Sequence, residues 1–494
     1  VFEAAPQLVP GLQMRPSQKQ MSDEIRGAFE RGGKIAIEAP TGTGKSLAYL
    51  VPSLLLAETS ELPVVVATHS KALQDQLFDK DIETAKIITD QPQAIATTVK
   101  GQENYLCLRK LYQIATTLPD EQTQAGVHER YAVAFVIAFQ KLSRLAELDR
   151  VSAYIRSRIE PMHYLLERVK AHHQTTLGPP CPFYSSCHFY NSARIAHQSQ
   201  VIIANHSLVF HWPEHLPKLR SVVFDEAHHL EDQITQTYTE ELSERELGDA
   251  FDRLRSQGRP RSYSDAAKIA SVFESNEQFA QFQETLEETI SSFKDWGRLV
   301  PSLIQARGNR ESLGYEDTLK LETLVDHPSL LVLEKFRDKL RAVTEKLDET
   351  RKRLEDQGSK GRERSSVIDV IVTYTSRFTE ILTTLERALG RDENDLKLLL
   401  WHSRESLWRI RVFPIEVAAH GGEFFEGIRS AVFTSATLSA GANEDFFLKR
   451  IGVQTTKPLV RLPSPFDLEK QAKVYITRGV ANPGSGQHLD QVIS

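Results

Sequence analysis

The sequence predicts an α/β fold, a parallel sheet interrupted by two long inserted segments, and three observations carry that expectation. Five short apolar runs, at 35–38, 64–68, 201–205, 222–225 and 431–435, each end in polar or small residues. Continuous apolar runs without alternation read as strands buried on both faces. Helical stretches at 46–57 and 71–78 follow the first two runs, which is the alternation of a parallel sheet. Finally, the strands are too far apart. Between Lys45 and Asp225 lie about a hundred residues more than βα units require, and the gap from Asp225 to Ser435 is longer still.

Taken in order, the first run delivers Glu38 to the carboxyl end of its strand and leads into Ala39-Pro40-Thr41-Gly42-Thr43-Gly44-Lys45-Ser46, and the next deliver Thr68, Asn205, Asp225 and Ser435 to the ends of theirs. In open parallel sheets ligands bind beyond those ends. The first insert, about 100 to 195, holds all three cysteines: Cys107, Cys181 and Cys187. The second, 238–410, is charged and helical. In it Leu333, Phe336, Leu340, Val343, Leu347 and Leu354 repeat with 3-4 spacing. That spacing fits either a coiled-coil hairpin or an amphipathic helix packed on its own domain. The polar segment 358–366 reads as a mobile loop. Residues 473–477, beyond Pro463-Ser464-Pro465, read as the first strand of a further domain.

Composition bounds the function. The chain has 494 residues, 40% hydrophobic and 26% charged, with net charge −6. That is ordinary globular material, three or four domains long, without a basic nucleic-acid coat, although a local basic channel remains open. No apolar run approaches the ~18–20 residues of a membrane span. No secretory signal is visible, and three cysteines fit a reducing compartment, so the expectation is a cytoplasmic, monomeric protein without membrane contact. The first residue is Val1, as in a trimmed chain.

The loop at 39–46 follows a strand and opens a helix, the setting of a phosphate loop. Glycine backbone N–H groups face the phosphates, Lys45 reaches the β/γ oxygens and the Ser46 hydroxyl ligates Mg²⁺. Ala39 stands where the strict pattern has glycine. The second site is Asp225-Glu226-Ala227-His228 at a strand end. Asp225 suits Mg²⁺, and Glu226 suits orienting and deprotonating the water that attacks the γ-phosphate. Lys45, Asp225 and Glu226 are thus the expected catalytic set, with ATP and Mg²⁺ as ligands.

In this order along the chain, Arg15-Pro16-Ser17-Gln18, the phosphate loop, Ala67-Thr68-His69-Ser70, Lys100-Gly101 with Asn104-Tyr105-Leu106-Cys107, Cys181-Pro182 with Cys187, Asn205-His206, Asp225–His228 and Ser435-Ala436-Thr437-Leu438 resemble the superfamily 2 iron–sulfur helicases. This is the XPD/DinG family, with the bacterial DinG/YoaA branch most similar. The resemblance implies a RecA-like motor domain at 1–100, 196–237 and 411–458, an iron–sulfur domain at 101–195, an arch at 238–410, and a second motor domain begun at 459–494. It implies 5′→3′ movement on single-stranded or forked DNA in repair or replication, with replication or repair proteins as partners. ATP contacts would come from Arg15, Gln18, Thr41, Gly42, Thr43, Gly44, Lys45 and Ser46. DNA contact or coupling would fall to Thr68, His69, Asn205, His228, Ser435 and Thr437.

Two departures stand out. The family's cluster has four cysteines, and here Thr176 occupies one position. Three thiolates leave a [3Fe–4S] core, a cluster completed by His172, His173 or water, or no cluster. The expectation is some iron, with low stability in air, and His188 is expected on the surface. After Thr437 no Gln-x-x-Gly-Arg arrangement follows, so the chain alone is expected to bind ATP but to unwind poorly. Arg150, Arg156, Arg158, Arg168 and Lys170 are candidate DNA contacts, with Tyr184, Phe189 or Tyr190 stacking on bases. Lys335–Arg364 in the arch reads equally as a salt-bridged face. Two other functions remain: a nucleotide-dependent DNA-binding switch or scaffold, and, ranked last because the chain starts so close to Arg15, a nuclease fusion.

Overall fold

The computed structural model describes all residues except 1–4, 117, 119–123, 160, 173–175, 256–264, 274, 308, 311–315, 357–361, 442, 456–458, 474–480, 483 and 494. Seven parallel strands form the central sheet: β1 (Gly33–Glu38), β2 (Val64–Thr68), β3 (Ala96–Thr98), β4 (Val201–Asn205), β5 (Ser221–Asp225), β11 (Ser430–Ser435) and β12 (Val460–Arg461), in the order β12-β1-β11-β5-β2-β4-β3. All five apolar runs are strands, buried on both faces under the flanking helices. The order matters for chemistry. β11 lies between β1 and β5, with Glu38 opposite Ser435 and Thr434 opposite Asp225. Three segments far apart in sequence therefore end side by side.

The second half of the chain carries its own core. Helices Asn276–Arg307, Pro328–Asp356 and Arg362–Leu389 pack in sequence, the second between the other two. Leu333, Phe336, Leu340, Val343 and Leu347 are all 0% exposed. The 3-4 pattern is thus a helix buried on two neighbours within its own domain. Part of the segment expected as a loop is helical, since Arg362–Leu389 begins within it at a run of helix-forming Arg and Glu. The rest of that loop, and all but the start of the strand expected at 473–477, lie outside the described residues.

A second sheet, antiparallel, was not foreseen. It joins β6 (Glu240–Ser243), β7 (Asn309–Arg310), β8 (Glu316–Lys320), β9 (Asp395–His402) and β10 (Leu407–Pro414) in the order β6-β10-β9-β8-β7. Its clearest strand was readable: Trp408, Ile410 and Val412 are buried while Arg409 and Arg411 between them are not, a period of two. Trp408 packs edge-on to Trp296 and joins this sheet to the three helices. Among the described residues no helix is long and apolar enough to cross a membrane.

Candidate nucleotide site

β1 ends at Glu38 and the chain turns through the phosphate loop into helix Lys45–Thr59. Gly42 and Gly44 both have φ 82°, the left-handed region where a side chain is strained. Neighbouring side chains also close in on both glycines. A Cβ on Gly42 would lie 2.4 Å from the Phe466 ring, and one on Gly44 would lie 2.4 Å from Gln18 Nε2. Thr43 is fully buried and its hydroxyl donates to the Pro40 carbonyl at 2.6 Å, closing the turn, while Thr41 is exposed at its tip.

Opposite the loop, Lys45 Nζ lies 3.0 Å from Glu226 Oε1. The lysine of the loop and the proposed base, 181 residues apart, are hydrogen-bonded to each other. Glu226 is held at φ 51°, a left-handed conformation that non-glycine residues adopt at a cost and that recurs at functional sites. Its Oε2 accepts from Ser435 Oγ at 3.4 Å, and Ser435 Oγ is 2.7 Å from His228 Nδ1. Phosphate loop, acidic pair and the Ser435–Thr437 segment therefore form one hydrogen-bonded unit. Ser435 is fully buried, whereas Thr437 is exposed.

Asp225 is 6% exposed. Its Oδ2 accepts from Tyr49 Oη at 3.1 Å, and its Oδ1 is buried without a partner among the described residues. Burial pushes its carboxyl up to about 6, against the pull of Lys45. An unpartnered, buried carboxylate oxygen beside a helix-opening serine is a donor set of the hard-oxygen kind that Mg²⁺ takes. Ser46 and Asp225 fit that ion.

Glu38 was expected at the ligand-facing end of its strand, without a role. Its Oε2 accepts from the backbone N–H of Leu438 (2.8 Å) and Ser439 (2.9 Å) and from Ser439 Oγ (2.8 Å). Burial alone would raise this carboxyl, but those donors outweigh it and hold it below its usual range. The strand feeding the phosphate loop thus grips the segment that follows Thr437. No local pattern marks this contact.

Several expectations change. Gln18 is 4% exposed and donates an amide N–H to the Gly44 carbonyl at 3.0 Å, so it braces the phosphate loop, and at most part of its amide is left for a base. Arg15 sits with its guanidinium 5.9 Å from the centre of the Phe466 ring. Thr68 is completely buried with an unpartnered hydroxyl, so the expected DNA contact is not available to it, whereas the neighbouring His69 is exposed and stacks on His229 at 3.9 Å. Burial and the nearby His229 keep the His69 ring below its usual protonation range. Asn205 Oδ1 accepts from Leu208 N and caps helix His206–Phe210, a structural use of that side chain.

The expected basic cluster also divides. Arg150 pairs with Glu147, Arg156 bonds the carbonyls of Val151 and Leu148, and Lys170 pairs with Glu167. Arg158 and Arg168 instead lie over Tyr154 and Tyr164, rings that are 65% and 50% exposed. Phe189 is 5% exposed and packs on Tyr105 and Tyr190, so it cannot stack on a base; Tyr184 packs on Tyr190. In the second insert, Lys339 pairs with Glu288, Arg341 with Glu386, Arg351 with Asp348 and Glu355, and Lys352 with Asp348. That is the salt-bridged face.

The cysteines lie near one another. Burial raises the Cys187 thiol, and the Cys107 and Cys181 charges add to the rise. Thr176, at the fourth position, donates to the His172 carbonyl at 2.8 Å and accepts from Gln102. His188 is buried, 6% exposed, not on the surface, and both its ring nitrogens lack partners. Even so, no group of three or more His, Cys, Asp or Glu among the described residues converges as a metal site. His173 lies outside them. Three thiols and an engaged hydroxyl are one thiolate short of what a [4Fe–4S] cluster takes.

The DEAD/DEAH box helicase family matches residues 15–178. The ATP-dependent DNA helicase YoaA of Escherichia coli is 28% identical over 494 residues, covering 97% of this chain and 69% of its own. The Bacillus subtilis 3′-5′ exonuclease DinG is 25% identical, covering 96% of this chain and 51% of its own. A solved XPD helicase overlays 91% of this chain at 14% identity with a TM-score of 0.42. The motifs in their order, the match at 15–178 and relatives that align along almost the whole chain make it similar to DEAD/DEAH-box helicases of the DinG and YoaA kind.

Proposed function

We propose that the chain is the nucleotide-hydrolysing part of an ATP-dependent DNA helicase. It would bind Mg·ATP on the phosphate loop and couple hydrolysis to movement on single-stranded DNA, 5′→3′ by family resemblance. The carrying observation is the 3.0 Å approach of Lys45 Nζ to Glu226 Oε1, with Ser435 on the other carboxylate oxygen. Lys45 and the loop amides bind the β/γ-phosphates, and Glu226 accepts the proton of the attacking water. Mg²⁺, held by Ser46 and Asp225, would neutralise phosphate charge as the bond breaks. Replacing ADP by ATP would change what Glu226 bonds, and Ser435 and His228 would carry that change toward Thr437. Arg158 and Arg168, stacked on exposed tyrosines, form the surface best suited to a single strand, because cationic groups track phosphates and rings stack on bases.

The test is ATP turnover by the protein with and without single-stranded DNA. Single strands are expected to stimulate it several-fold, and Lys45→Ala to lower it by roughly 10²–10³, as for loss of a charge-stabilising donor. Nucleotide binding with no response to DNA would sink the helicase reading and leave a switch or scaffold.

We further propose that the insert at 101–195 folds without a four-thiolate cluster, on a core of Leu106, Leu111, Val136, Leu148, Met162 and Val169. Anaerobic purification is expected to yield no more than about three irons per chain, easily lost in air, with the helicity of the insert intact. About four irons with matching sulfide would contradict this and supply the missing ligand from elsewhere.

A further inference from the structure

We infer that Tyr49 is a positioning residue for the metal side of the nucleotide site, its phenolic hydroxyl fixing the carboxylate that would hold Mg²⁺. The inference deepens the nucleotide-hydrolysis reading above and rests on it. Tyr49 lies one turn into helix Lys45–Thr59 and is 0% exposed. Its Oη donates to Asp225 Oδ2 at 3.1 Å, across 176 residues of sequence. Ser46 lies one turn back on the same helix.

A phenol has a single proton to give and lone pairs to receive with. With that proton committed to Asp225, the carboxylate is oriented. One Asp225 oxygen is occupied and the other, Oδ1, is left buried and without a partner among the described residues. The hydroxyl thus selects which carboxylate oxygen faces the ion. It also ties the helix that opens at the phosphate loop to the end of β5. Without it, Asp225 is free to turn, and its second oxygen loses its donor.

Tyr49→Phe removes one oxygen and keeps the ring in its place. The measurement is the affinity of the protein for a fluorescent N-methylanthraniloyl-ADP, first in EDTA and then in saturating Mg²⁺. The ratio of the two within each variant cancels any change in folded fraction. Tyr49→Phe is expected to bind within about twofold of wild type in EDTA and to lose about tenfold of the Mg²⁺-dependent gain, the scale of one hydrogen bond to a charged group. Ser46→Ala serves as the reference that loses the same gain. If Ser46→Ala loses it while Tyr49→Phe retains the wild-type ratio, the inference is wrong and the nucleotide reading stands. If Lys45→Ala binds the nucleotide as wild type does, the underlying reading fails and this inference fails with it.

Discussion

Replacing Glu226 by Gln is expected to lower ATP turnover by about 10²–10⁴, the usual contribution of a positioned general base, without weakening nucleotide binding. The substitution is isosteric, so the left-handed backbone at φ 51° and the Ser435 contact can persist. What changes is basicity, since an amide cannot take the proton from water. The Lys45–Glu226 pair gives the second half of the expectation. Lys45 is paired to Glu226 at 3.0 Å, with the two side chains 13% and 27% exposed. To reach phosphate oxygens the lysine must leave that partner. With Gln at 226 the competing ion pair is gone, and affinity for ATP should hold or rise by a few-fold. Turnover and fluorescent-nucleotide titration on the same preparation decide the matter. A variant that loses binding and turnover together would show Glu226 to be a structural partner of Lys45 rather than the base.

The second large effect concerns stability. Lys100, just past β3, has a side chain only 6% exposed, with Nζ 3.2 Å from Glu147 Oε2 and 3.0 Å from Asp149 Oδ2. Glu147 is itself 5% exposed in its side chain and receives Arg150 Nε at 2.6 Å, and Lys71 reaches Asp149 at 3.1 Å. Lys100 N is also the donor to the buried Tyr105 hydroxyl at 3.1 Å. This network fastens the cysteine-bearing segment to the edge of the parallel sheet. Burial pushes the Asp149 carboxyl up, yet the Lys100 and Lys71 bonds bring it below its usual range. Lys100→Met removes a buried cation bonded to both carboxylates and leaves Glu147 with Arg150, which is half exposed, as its partner. Breaking a buried pair costs up to about 3–5 kcal/mol, and the remaining Arg150 contact holds the loss below that ceiling. Hydrogen exchange is the right measure, since a multidomain chain need not unfold in one step. Amides at 101–110 and 146–150 should lose protection while those of β1 and β5 keep theirs. Adding Glu147→Gln should recover part of the loss, because it removes a buried charge short of partners. Uniform protection across both regions in Lys100→Met would refute the fastening role.

How much of this was legible beforehand depended on range. The glycines at 42 and 44, Lys45 and Ser46 announce a phosphate loop because the turn's backbone needs are met by neighbours in sequence. Asp225 and Glu226 stand out because they end a buried strand. The charged arch resolved into ion pairs, as its balance of signs suggested. Other expectations failed for reasons of depth. Thr68 and Phe189 are the right residue types for nucleic-acid contact, but burial removes them from the surface. His188 was taken for a surface residue because nothing local says that its helix turns it inward. The antiparallel sheet was missed although β10 alternates plainly, because the surrounding helical pattern dominated that region.

From its sequence alone this protein was determined to be a parallel α/β nucleotide-binding chain with two long excursions, since strand burial, loop geometry and the acidic pair are written in short windows. Only the tertiary structure decided which side chains meet. The insertion of β11 between β1 and β5 brings Ser435 to Glu226 and lets Glu38 bind the segment after Thr437. It also took the fold to bring Tyr49 to Asp225 and Lys100 to Glu147 and Asp149. A hydrogen bond across the chain constrains two positions whose separation is set by everything folded between them. Its partners therefore carry no local mark.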